Sequence, residues 1–251
     1  MRDYSFLGVG QFYVREYGAN EALIEVGNCS ALNLSPQEEN KTLLNHTEPG
    51  GGTQNEVTRI TGVELSYTFH DFNPSNLARA LRAEYAGVAG GAVASEEHAA
   101  YEGGFVPFAK VPDTTATITV VDAATGSTTY DEGVDYEVRP GGIFILDGTS
   151  IPAPVSGAAN IDVSYSAKAS TKLQALVTSD KQYELFFVGL NEAQSGKVAR
   201  IHCFRVNHGV MTQLAAIGQE HGAGEINGKL LIDTTKTGTG ESKYFTVELE
   251  D

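Results

Sequence analysis

The chain has 251 residues, 41% hydrophobic and 20% charged, too apolar for a disordered chain and long enough to bury one large core or two small ones. Its 17 Lys and Arg stand against 32 Asp and Glu, a formal charge of −15, which repels phosphates and argues against an ordinary nucleic-acid binder. The 28 glycines against 8 prolines, spread over many short runs, favour a turn-rich, strand-rich protein.

At the N-terminus, "YSFLGVGQFYVREY" has strand character, but Gly8 and Gly10 weaken it, so an edge strand or an arm is expected. "EALIEVGNCSALNLS" reads as a strand with a turn or bulge at Asn28. Ser35 to Asn55, "SPQEENKTLLNHTEPGGGTQN", shows no periodicity and is expected to be a long loop, functional or disordered. Leu43 and Leu44 are odd there, since a solvated loop gains nothing by exposing two leucines.

"RITGVELSYTFHDF" has the clearest pattern in the chain. Val63, Leu65, Tyr67 and Phe69 alternate with Glu64, Ser66 and Thr68, predicting a strand with one buried and one wet face. "NPSNLARALRAEYAG" predicts the one clear helix, with Asn73 as cap, Pro74 in the first turn, Leu77, Leu81 and Tyr85 at four-residue steps, and Gly87 as the stop.

From Gly87 to Gly104 the chain is poorly patterned, a loop with a short helix around "SEEHAAY". Residues 110–168 then hold short Val/Ile/Tyr runs separated by turn signals such as "AATG", "DEG" and "PGG". This stretch reads as an inserted small antiparallel β subdomain, which leaves 1–109 and 169–251 as one discontinuous domain. "KQYELFFVGLN" and "KVARIHCFRVN" predict a hairpin turned by "EAQSG". "VMTQLAAIGQ" and "NGKLLIDTT" are expected to continue the sheet, and "ESKYFTVELED" to close it.

Chemistry is sparse. "PGGGTQNE" lacks the lysine of a phosphate-binding loop and leads into a strand, not a helix. His202 and Cys203 are adjacent in a predicted strand, so they point to opposite faces and do not pair. His208 and His221 could serve as bases, but no nucleophile elbow accompanies them. Carboxylates in "DEGVDYE" miss calcium-loop spacing. Cys29 and Cys203 form no CxxC pair and are expected as buried free thiols. No catalytic, cofactor-binding or metal site is read from the sequence, and an enzyme is not expected. The N-terminus lacks the apolar core of a signal peptide, and no run approaches the ~20 residues of a membrane span. Synthesis in a cytoplasm without membrane insertion is the expectation.

The order of elements in "GNCSALNLSPQEENKTLLNHTEPGGGTQNEVTRITGVELSYTFHDFNPSNLARAL", with "ELFFVGLNEAQSGKVARIHCFRVN" and "SKYFTVELED", resembles the tail tube protein (major tail protein) of long-tailed bacteriophages. The resemblance spans about two thirds of the chain. It implies a mainly β fold, a β-sandwich or barrel with one flanking α-helix. It also implies a virion structural protein made in the host bacterium. Hexameric rings would stack into a tube that conducts double-stranded DNA, in company with tail tip, tape measure and tail terminator proteins. Four strands from each of six subunits, about 24 at ~4.8 Å each, would close a barrel whose backbone diameter approaches ~40 Å, wide enough to pass a duplex once side chains are subtracted. Carried onto this chain, the long loop makes the contacts between rings, through Pro36, Glu38, Glu39, Leu43, Leu44, Glu48, Gly50, Gly51, Gly52 and Asn55. Glu64, Ser66 and Thr68, with Glu184, would face the lumen, where acidity lets DNA slide. The inserted segment would decorate the outside. The alternative is a cell-surface or adhesin-like β-sandwich binding module, though no secretion signal is seen.

Overall fold

The computed structural model describes residues 4–250, which fold as two compact units: 4–84 with 174–250, and 85–173. The first unit begins with β1 (Gly8–Glu16), β2 (Ile24–Glu25), β3 (Cys29–Leu44), β4 (Thr53–Phe69) and α1 (Pro74–Ala80). The second holds most of β5 (Glu84–Val88), then β6 (Gly91–His98), β7 (Phe105–Pro107), β8 (Thr119–Asp122), β9 (Thr129–Tyr130), β10 (Tyr136–Arg139), β11 (Gly142–Ile145) and β12 (Ile161–Ala167). The chain returns through β13 (Ser170–Gln174), which pairs with β5, to β14 (Gln182–Asn191), β15 (Lys197–Met211), β16 (Gly224–Leu230) and β17 (Phe245–Leu249). The protein is mainly β, with a single α-helix among the described residues.

In the first unit one eight-stranded antiparallel sheet runs β2-β1-β14-β15-β16-β4-β3, with β17 on the side of β15. The alternation in β4 is as expected: Val63, Leu65, Tyr67 and Phe69 are buried, while Glu64 is exposed and Ser66 and Thr68 are half-buried. Three strands separate β1 from β4 in the sheet, yet the Phe12 and Tyr67 rings lie 4.9 Å apart. The sheet therefore curls over its own core. Leu185, Val206, Ile226 and Leu230 complete that core from the intervening strands.

β1 lies next to the sheet margin, covered on its outer side only by the two pairs Tyr13–Glu25 and Val14–Ile24. Its glycines have a packing reason. Gly10 stands opposite Gly189, and a Cβ on Gly10 would come within 2.4 Å of Gly189 Cα and Val188 O.

The helix starts where expected. Asn73 is extended (φ −75°, ψ 160°) and its side chain accepts from Asn76 N at 2.8 Å, satisfying one orphan amide of the first turn. We expect Asn73→Ala to cost about 1 kcal/mol in a denaturant titration of the first unit. The helix end differs from expectation. It stops at Ala80, Arg82 turns the chain with φ +47°, and Tyr85 and Gly87 lie in β5 instead. Asn76 ties the short helix to the sheet by donating 2.7 Å hydrogen bonds to Val26 O and Asp71 O.

The second unit is a small sandwich. Sheets β10-β11-β7 and β6-β12-β8-β9 share one core built on Val120, Ile143, Ile145, Ile161 and Val163. The unit is larger than the predicted insert 110–168, since residues 85–109 belong to it. The stretch expected to hold a helix around "SEEHAAY" is strand β6, paired along β12. "MTQLAAIGQ" also differs from expectation: β15 ends at Met211 and residues 212–223 form a loop.

Candidate assembly surface

The largest correction falls on residues 35–55. The expected loop is a β-hairpin, with β3 and β4 paired continuously from Cys29–Phe69 out to Leu44–Thr53. Pro36, Glu38, Glu39, Leu43 and Leu44 lie on β3, and Asn55 on β4 opposite Leu43. Glu48, Gly50, Gly51 and Gly52 alone of the predicted contact residues lie in a turn.

That turn is built, not slack. Asn45 N donates to Gly52 O at 2.7 Å, and Asn45 Oδ1 accepts from Thr47 N and Thr47 Oγ1 at 2.9 and 2.6 Å. Gly50 has φ +85°, which disfavours any side chain. A Cβ on Gly51 would sit 2.2 Å from Asn45 O, so two of the three glycines are geometric requirements.

The neighbouring strand β16 reaches β4 only as far as Val63. Beyond that pair, residues 53–61 are all exposed, and so are 38–44 opposite them. The outer part of the hairpin is thus a bare two-stranded ribbon. Leu43 and Val57 share one of its faces and Ile60 stands on the other, each about half exposed at 53%, 45% and 54%. Seven residue pairs, Glu38–Ile60 to Leu44–Thr53, at ~3.4 Å rise give a ribbon on the order of 25 Å long, exposing roughly 600 Å² over its two faces. That is most of one partner's share of a standard protein interface, about 800 Å². A lone hairpin is marginal in water.

The predicted lumen-facing residues do share one face, the side of the sheet away from the core. Glu64 pairs with Lys229, Lys229 with Asn207, and Asn207 with Gln182, which is two residues from Glu184 on β14. Ser66 and Thr68 follow Glu64 along β4. This face is not uniformly acidic, against expectation. Arg15, Arg200 and Lys229 interleave with Glu64, Glu184, Glu225 and Glu248. Arg200 pairs with Glu248 at 3.1 Å.

Glu184 is the most constrained of these acids. Arg15 forms an ion pair with it, and His202 contacts its other oxygen at 2.6 Å. Burial alone would raise its pKa, but the hydrogen bonds from Arg15 and His202 outweigh that and hold the carboxyl below its usual value. A carboxyl depressed in the folded state adds stability above its unfolded pKa and loses it as pH falls through the folded value. Glu184→Gln is therefore expected to cost about 1–2 kcal/mol at pH 7, a gap that closes at a second, acidic pH below the depressed value of the folded carboxyl. Paired urea titrations at the two pH values check this.

Cys203 lies in the core and His202 on the opposite face, as adjacent strand residues must. Both cysteines are free, though only Cys203 is fully buried. Burial pushes their thiols up, Cys29 to about 11 and Cys203 to about 12, so neither is a ready nucleophile at neutral pH. His208 is buried against Tyr67, and His221 lies in the loop after β15. Among the described residues no group of three or more His, Cys, Asp or Glu is placed to hold a metal ion. No helix among them is long and apolar enough to cross a membrane.

Sequence reasoning missed Val57 and Ile60 as surface residues of the ribbon. The β-branched run Val57-Thr58 and Ile60-Thr61 was the available signal. No curated protein matches the chain. A family model does match, over residues 5–248, and the chain belongs to that family, described as Protein of unknown function UCP028589.

Proposed function

We propose that this chain is a self-assembling structural subunit of a phage tail tube, in which hexameric rings stack and DNA passes through the bore. The observation that carries the reading is the bare outer hairpin. A long ribbon with apolar side chains on two open faces is marginal alone in water, and a second copy packed on it would supply cover. The curled sheet gives further support. Its margins, β3 on one side and the nearly uncovered β1 on the other, are open to pairing with neighbouring copies, and ring closure would remove both edges. On this reading Glu64, Ser66, Thr68 and Glu184 face the bore. The mixed charge there leaves phosphates without a continuous cationic track, which suits passage over capture.

Negative-stain microscopy of the purified protein over a range of concentration and salt tests the reading. Rings or tubes are expected. Monomers at every concentration, with no tubes even when seeded with an assembly initiator, would count decisively against it.

The independent core of residues 85–173 favours a second role for that unit alone, as a binding module of the adhesin-like kind. Loss of attachment to bacterial cells when the unit is deleted, with assembly intact, would separate this role from the first.

A further inference from the structure

Strand β17 has an open edge. β14 covers one side of β15 along Lys197–Asn207, and two strands share the other side, β16 over Val206–Met211 and β17 over Ala199–Cys203. Among the described residues β17 pairs with no strand but β15, so its far edge is free. Val247 and Leu249, on the core side of β17, are 51% and 63% exposed.

The strand position beyond β17 belongs to β4. Val63, Leu230 and Val206 form one row of the sheet. Two rows further out β15 has reached Cys203 and β4 has reached Ile60, each through one extra residue, so the rows stay aligned. Phe245 is the partner of Cys203. The register therefore sets Ile60 against Phe245, Thr58 against Val247 and Glu56 against Leu249, antiparallel, as β16 meets β4. Among the described residues no strand stands between them, yet the outer part of β4 pairs only with β3. The extra residue of β4 is Thr61, a β-bulge. A bulge bends its strand, and this one turns the ribbon away where β17 begins.

We propose that the ribbon is a strap that swings about Thr61 and Gly62, closes on β17 of its own chain, and in that state competes with a second copy for the same surface. The closure is argued from this chain's register alone, and the competition rests on the self-assembly reading. The side chains suit closure. Ile60, 54% exposed, would come against Phe245 and Val247 on the core side. Glu248 is the one acid among the five residues of β17. Arg59 would stand diagonal to it, within reach of a long side chain, and Arg200 already pairs with it at 3.1 Å. Glu38 and Glu39 stay on β3, one strand further away. Closure would cover two open edges at once. Five rows are a short pairing, so the closed and open forms exchange.

A chain carrying Thr58→Cys and Val247→Cys tests this. Facing residues of antiparallel strands stand ~4.5–5.5 Å apart at Cα, within disulfide reach. In dilute monomer, oxidation is expected to give an intrachain disulfide at least about tenfold faster than in an off-register control, Gln54→Cys with Val247→Cys. Single substitutions control for the two native thiols. The oxidised chain should assemble at least about tenfold less than the wild type, and reduction should restore it. An intrachain rate no higher than the control, or disulfides between chains only, would overturn the strap. Stapled chains that assemble as the wild type does would overturn the competition. Wild-type protein that never assembles would remove the self-assembly reading, and the intrachain disulfide would still decide the closure.

Discussion

A chain in which residues 39–59 are replaced by a two-residue Asn-Gly turn is expected to stay folded and to lose assembly altogether. The first half follows from the packing. The core of the first unit uses β4 only from Val63 inward, and no residue of the outer ribbon joins it. The pair Glu38–Ile60 leaves two antiparallel strands in register, which a tight two-residue turn closes. The folded unit should therefore keep its unfolding midpoint within about 0.5 kcal/mol of the wild type, as exposed changes do. The second half follows from the surface lost. Removing roughly 600 Å² from each copy takes away most of one side of a standard interface, and a drop in association of at least about 100-fold is expected. Sedimentation and microscopy read the assembly, and circular dichroism with urea reads the fold. Tubes formed by the truncated chain at wild-type concentrations would show the ribbon to be a bystander.

The hairpin also shows why parts of this fold were readable in the sequence and others were not. The inner end of β4 was plain because it has one buried and one wet face, so Val63, Leu65, Tyr67 and Phe69 had to alternate with polar neighbours. The outer ribbon buries neither face, so nothing forces alternation, and "SPQEENKTLL" reads as a loop although every residue of it pairs. The predicted contact residues therefore lie on the correct segment in the wrong conformation. The helix start was legible through its Asn73 cap, but its end was not. Tyr85 keeps a helical spacing from Leu77 and Leu81 by sequence alone, while the left-handed Arg82 has already sent the chain into β5. "LAAI" read as strand because apolar residues usually seek a core. Here Leu214 and Ile217 stay outside it, and only the tertiary structure reveals that. In the second unit β6 is rich in Ala and Glu, and its strand identity comes from pairing with β12, a partner more than sixty residues away.

His208 carries the largest acid sensitivity expected of the folded unit. It is buried in the core, with Nε2 2.5 Å from the Tyr67 hydroxyl and the Tyr183 ring packed edge-on. Burial depresses its pKa most, the cationic Arg79 and Arg82 depress it further, and only the backbone at Gly209 favours the charged ring; together they bring it to about 3. The imidazole is thus neutral in the folded state at neutral pH, and Tyr67 donates to Nε2. The unfolded chain takes up a proton on this ring near pH 6.5, whereas the folded chain resists until about pH 3. Below pH 6.5 the unfolded state therefore binds the extra proton, and stability falls from there down to about pH 3. The full window corresponds to a loss on the order of 5 kcal/mol, a large part of the 5–15 kcal/mol that holds a typical domain together. Urea titrations between pH 7.5 and pH 4 should show the decline beginning well above the carboxylate range, where Glu184 does not contribute. His208→Phe combined with Tyr67→Phe removes the titrating ring together with the hydroxyl it would leave unpaired, and that variant should be flat between pH 6.5 and pH 5. A wild-type stability unchanged over the same interval would mean that the ring is hydrated or charged in the folded protein, with the Arg82 charge already compensated by Asp180, its partner at 2.6 Å.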